Sequence, residues 1–81
     1  MNAPPPPASP VRAASLSRGD RARVSAIEGR AAIVERLAAV GLVPGTHLVV
    51  VRGGSPMAIA VGASRFGIGR EWAEALLVER R

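Results

Sequence analysis

Turn signals divide residues 16–79 of this chain into segments of ten residues or fewer. Glycine and proline mark the clearest of these breaks, at residues 28–30, 43–45, 53–56 and 62–63. No segment is long enough for the crossover that joins two parallel strands, so any sheet must be antiparallel. The sequence therefore predicts a small antiparallel β protein.

Apolar alternation and β-branched runs predict five short strands. They cover residues 20–27, 46–52, 57–61, 64–68 and 76–78. In the first strand Ala22, Val24 and Ala26 are expected to face the core. The second strand contains an apolar run at residues 48–51, which predicts burial on both faces. Five such strands with an apolar inside favour a closed barrel, because closure removes exposed sheet edges.

At residues 31–40 the spacing of the apolar residues changes from that of a strand to that of a helix. Ile33, Leu37 and Val40 form one apolar stripe, and Gly41 is placed to end the helix in a left-handed conformation. Leu42 can then fold back onto the last helical turn. The residues that follow, 43–46, predict a type II turn, with proline at its second position and glycine at its third. Residues 69–75 predict one further helical turn, before the last strand.

Residues 1–14 are expected to be a disordered, proline-rich tail, and residues 15–79 the folded domain. The tail contains four consecutive prolines at residues 4–7 and has little periodic apolar content. A proline-rich docking peptide is the alternative reading of this segment.

Composition excludes several classes of function. The chain contains no cysteine and one histidine, which excludes disulfide frameworks, thiolate metal sites and multi-histidine cages. No apolar run approaches the length needed to cross a bilayer, so the expected location is the cytoplasm. All 11 basic residues are arginine, but residues 16–79 hold 8 of them against all 6 acidic residues, a difference of only +2.

Catalysis and iron binding have weak support in the residue pattern. Several serines are present, but His47 is the sole imidazole that could act as their base. Asp20, Glu28 and His47 could each ligate iron, although nothing in their spacing brings them together. We therefore expect no catalytic residues, no metal site and no cofactor.

Nucleic-acid binding remains an alternative at this stage. Arg21, Arg23, Arg65 and Arg70 could contact phosphates. Binding of single strands relies on stacking aromatics, and the only aromatic residues are Phe66 and Trp72, of which Trp72 is expected in the core. We therefore do not expect a nucleic-acid partner.

Three segments together resemble the FeoA family. They are residues 16–24 with a Gly-Asp turn, residues 36–46 with an Arg-Leu-x-x-x-Gly-Leu-x-Pro-Gly block, and residues 54–74 with a Phe-Gly-Ile-Gly-Arg-Glu run. The similarity covers the whole predicted domain. It implies an all-β fold, a small SH3-like five-stranded barrel with one short α-helix after the first strand and a helical turn before the last.

The resemblance also implies a role. Members act as non-enzymatic accessory proteins of ferrous iron transport, bound to the cytosolic part of the FeoB-type permease at the inner face of the membrane. We expect the partner-binding residues to be Arg36, Leu37, Leu42 and Val43, at the junction of helix and turn. A second copy of the chain is another candidate for this surface. A regulatory module related to metal-dependent repressors is an alternative function, although no helix-turn-helix segment accompanies the domain.

Overall fold

The computed structural model describes residues 9–81. The predicted disorder of residues 1–8 lies outside this range. The elements are six strands, two α-helices and one 3₁₀ turn. In chain order they are β1 (Val11–Arg12), the 3₁₀ turn (Ala13–Ser15), β2 (Arg21–Ile27), α1 (Ala31–Ala39), β3 (His47–Arg52), β4 (Met57–Val61), β5 (Ser64–Ile68), α2 (Arg70–Ala75) and β6 (Leu76–Arg80).

The six strands form one antiparallel sheet in the order β1-β6-β2-β3-β4-β5. The predicted five-strand closed barrel is therefore wrong in two details, since the sheet has six strands and is not closed. The extra strand is β1, which pairs with β6 through Val11 and Val78. Strands β1 and β5 are the two edges of the sheet. The mostly β architecture with two short helices is consistent with an SH3-like fold.

The folded part begins at Val11, four residues before the predicted boundary at residue 15. Ala13, which the prediction placed in the tail, is 1% exposed and belongs to the core. Arg12 donates a 2.8 Å hydrogen bond to the backbone carbonyl of Glu74. These contacts attach the segment to β6 and α2.

One apolar core lies between the inward faces of the strands and the two helices. Its largest fully buried side chains are Val24, Leu37, Leu42, Val50, Met57, Ile59, Ile68, Leu76 and Val78. Strand β3 alternates between core and solvent, so the predicted burial of both its faces is wrong. Ala26 is only half-buried, because the pairing of β2 with β6 shifts register between Val24 and Ala26.

The end of α1 has the predicted glycine cap. Gly41 has a φ of +88°, and its N–H donates to the carbonyl of Ala38 at 3.0 Å. The N–H of Leu42 donates to the carbonyl of Leu37 at 2.8 Å, which completes a Schellman motif. The type II turn is also confirmed, since Gly45 has a φ of +96°.

Val40 does not belong to the buried stripe, and that expectation is wrong. Val40 is 42% exposed, whereas Leu42 is fully buried. Helix α1 ends at Ala39, and the Schellman turn directs Leu42, instead of Val40, into the third apolar position against the sheet. Within α2, Ala73 is buried, whereas Trp72, the expected core residue, is only half-buried against the core.

Candidate functional site

The structure separates the four predicted partner-binding residues into two pairs. Leu37 and Leu42 are both fully buried, so they are core residues and cannot contact a partner in this conformation. Arg36 is exposed, and Val43 is 41% exposed. Only Arg36 and Val43 therefore remain available for binding.

Exposed residues nevertheless lie at this junction. We define the helix–turn surface as Arg36, Val40, Val43 and Pro44, all of which are exposed. Among residues 9–81, Val40, Val43 and Val49 are the large aliphatic side chains most open to solvent. Two of these three valines lie here, three positions apart. Sequence reasoning missed Val40 because helical periodicity assigned it to the core.

Hydrogen bonds hold this surface in a fixed shape. The hydroxyl of Thr46 donates to the carbonyl of Gly41 at 2.8 Å, and the N–H of Thr46 donates to the carbonyl of Val43 at 3.0 Å. The N–H of Gly45 donates to the carbonyl of Val24 at 2.7 Å, which joins the turn to β2. A partner would therefore meet preorganised valines and would not need to order a loose loop.

The three residues considered as iron ligands have separate roles. Asp20 accepts a 2.8 Å hydrogen bond from the N–H of Ser17, Glu28 forms a 3.4 Å ion pair with Arg12, and His47 contacts Arg81. Within residues 9–81 no three such side chains come together in a metal-binding group. His47 is exposed and in contact with a guanidinium, not with a serine.

The arginines considered for nucleic-acid binding do not form one patch. Arg21 and Arg23 lie on β2, while Arg65 lies on β5, three strands away in the sheet. Arg70 begins α2, and Arg23 is paired with Glu79 at 3.4 Å.

Neither helix in the described part of the chain is long and apolar enough to cross a membrane.

The mostly β fold with two short helices defines a small SH3-like domain. A family model described as the FeoA domain matches residues 11–80, which include every element of the structure. The chain belongs to the FeoA family. Membership of this accessory family places the chain in ferrous iron transport.

Solved structures of FeoA proteins are similar over most of the chain. An iron uptake regulatory protein (FeoA) crystal structure is 30% identical with a TM-score of 0.84, covering 89% of this chain and 99% of its own. FeoA from Chlorobium tepidum is 30% identical with a TM-score of 0.79, covering 86% and 70%. FeoA from Stenotrophomonas maltophilia, an SH3 domain protein complexed with zinc, is 28% identical with a TM-score of 0.74, covering 83% and 87%.

A repressor is similar as well. IdeR of T. acidophilum is 26% identical with a TM-score of 0.84, covering 96% of this chain but only 37% of the repressor. The chain therefore corresponds to about a third of that protein. A search of curated proteins found no match.

Proposed function

We propose that this chain is a non-enzymatic accessory protein that binds the cytosolic part of the FeoB-type GTP-dependent permease and modulates Fe(II) uptake. The observation that carries the proposal is the helix–turn surface in a member of the FeoA family. Val40 and Val43 expose apolar area on a rigid turn, where a protein partner would remove it from water. Arg36 adds a positive charge beside them.

The size of this surface favours a reversible contact. Covering the exposed parts of two valines contributes roughly 1–2 kcal/mol at about 25 cal/mol per Å². Interfaces with a small apolar centre belong to the weak, transient class. A contact of this strength suits a protein that adjusts the activity of a permease and then dissociates.

Binding of the isolated cytosolic domain of the permease, with and without GTP, tests this proposal. We expect the chain to co-purify with that domain and Val43→Glu to reduce capture at least about tenfold, since a carboxylate would be desolvated at the contact. Val49→Glu is the matched control, because Val49 is 37% exposed but lies on β3, away from α1. Equal capture of all three proteins would refute the proposed surface, and no capture of the parent chain would refute the partner.

The likeness to IdeR supports a second candidate, a regulatory module of the kind found in metal-dependent repressors. Binding of duplex DNA by the isolated chain, retained at about 0.2 M salt, would favour it over the transport role, since nonspecific phosphate contacts weaken steeply with salt.

A further inference from the structure

A second surface feature lies at the opposite end of β2 from α1. It is an open cleft of about 600 Å³ where the start of β2, the end of β6 and the β4–β5 hairpin approach β3. Arg21, His47 and Arg81 supply its polar groups, and Leu48, Val49 and Ala60 contribute apolar walls. This cleft shares no residue with the helix–turn surface.

Strand pairing brings two of these cations together. Ala22 of β2 is paired with Arg80 of β6, and the N–H of Arg81 donates to the carbonyl of Arg21 at 2.9 Å. Arg21 and Arg81 are therefore cross-strand neighbours. Like charges in this relation repel each other and destabilise a sheet, so an anion bound between them would be stabilising.

The carboxylate of Glu79 lies in an adjoining pocket that shares His47 and Arg81 with the cleft, but it is paired with Arg23 at 3.4 Å. The cleft is lined by three basic side chains and by no Asp or Glu. The side chain of Arg21 has no hydrogen-bond or ion-pair partner within residues 9–81. Nη1 of Arg81 contacts the ring nitrogens of His47, with 3.1 Å to Nε2. Four of the other nine arginines have acidic partners within residues 9–81; these pairs are Arg12–Glu28, Arg23–Glu79, Arg30–Glu71 and Arg80–Asp20.

We propose that this cleft binds the phosphate group of a small phosphorylated ligand. Two adjacent guanidinium groups match a phosphate monoester, which carries a charge of about −1.5 to −2 at pH 7, better than they match a single carboxylate. The planar donor forks of Arg21 and Arg81 can each bond two phosphate oxygens. The walls formed by Leu48, Val49 and Ala60 can cover an apolar part of the ligand, and the volume lies in the usual range for small-molecule sites.

Titration of the full chain with inorganic phosphate and with glycerol phosphate, at constant ionic strength, tests the proposal. We expect saturable NMR shifts at Arg21, His47 and Arg81, and a melting temperature that rises with ligand concentration because only the folded state binds. Arg21→Gln should weaken binding about tenfold, the effect of losing one charge-assisted contact. Tighter binding of glycerol phosphate than of inorganic phosphate would assign a role to the apolar walls.

Arg70→Gln is the matched control. It removes the same charge from an exposed arginine at the start of α2, which does not line the cleft, and it should leave binding unchanged. Equal loss in Arg21→Gln and Arg70→Gln, or shifts that never saturate, would show only a general attraction of anions and would overturn the proposal. Binding of single-stranded RNA that survives Arg21→Gln, without saturable phosphate binding, would overturn it as well.

Discussion

The backbone N–H of Leu42 donates a 2.8 Å hydrogen bond to the carbonyl oxygen of Leu37, and both leucine side chains are completely buried. This bond closes the glycine turn that ends α1. The same turn that places Leu42 in the core leaves Val40 and Val43 on either side of it exposed. Core packing and the proposed partner surface therefore depend on one local structure.

Leu42→Ala should lower the free energy of unfolding by about 3 kcal/mol, through lost burial and the cavity that remains. Urea denaturation followed by circular dichroism measures this loss. Leu42→Asp should abolish the cooperative transition, because an unpaired carboxylate would be buried beneath the helix cap.

Val43→Ala is the control for this prediction. It truncates a side chain of similar type one residue away, but at an exposed position, and should change stability by less than about 0.5 kcal/mol. If Leu42→Asp melted like the parent chain, the burial of Leu42 would be incorrect.

Gly41→Ala should destabilise the domain by about 1 kcal/mol. The φ of +88° is costly for any residue with a Cβ atom, even though no atom of a more distant residue would crowd the added group. Thermal melting of Gly69→Ala provides the comparison, because Gly69 also has open space around it but a φ of −73°. A similar loss in both variants would mean that backbone strain is not the cause.

Periodicity and turn chemistry predicted most of the fold. The strand and helix bounds follow from the positions of glycine, proline and apolar residues, and the cap at Gly41 and the turn at Gly45 have the expected conformations. Strand β1 could not be found in this way, since two residues show no alternation. Its existence depends on pairing with β6, more than 60 residues away in the chain.

The functional surfaces were less predictable than the fold. Val40 satisfies the helical period, and only the geometry of the turn after Ala39 shows that Leu42 takes its place in the core. The neighbouring positions of Arg21 and Arg81 result from the register of β2 with β6, which no local pattern encodes.

Two truncated chains test where the folded part begins. A chain that starts at Ser15 should be less stable than one that starts at Val11 by about 2 kcal/mol, since it loses the partly buried Val11, the buried Ala13 and the pairing of β1 with β6. Chemical denaturation of the two proteins gives the difference directly. Equal stabilities would show that β1 and Ala13 contribute nothing, which would restore the boundary at residue 15.

The helix–turn surface and the cleft lined by Arg21, His47 and Arg81 should bind their ligands independently. They lie on different elements and share no residue. A substitution in one surface should therefore leave the binding affinity of the other unchanged. We expect Val43→Glu to reduce capture by the permease domain at least about tenfold while retaining phosphate-induced shifts at Arg21 and His47. Conversely, Arg21→Gln should weaken phosphate binding about tenfold, followed by the shift of His47, and retain capture.

The double variant makes this prediction quantitative. Calorimetry on Val43→Glu/Arg21→Gln gives the change in binding free energy for each ligand. For each ligand this change should equal the sum of the changes caused by the two single substitutions, to within about 0.5 kcal/mol. A larger deviation, or loss of both activities from either single substitution in a chain that still melts normally, would mean that the two surfaces form one binding site. In that case the permease would contact β2 as well as α1, and the cleft would be part of the protein interface.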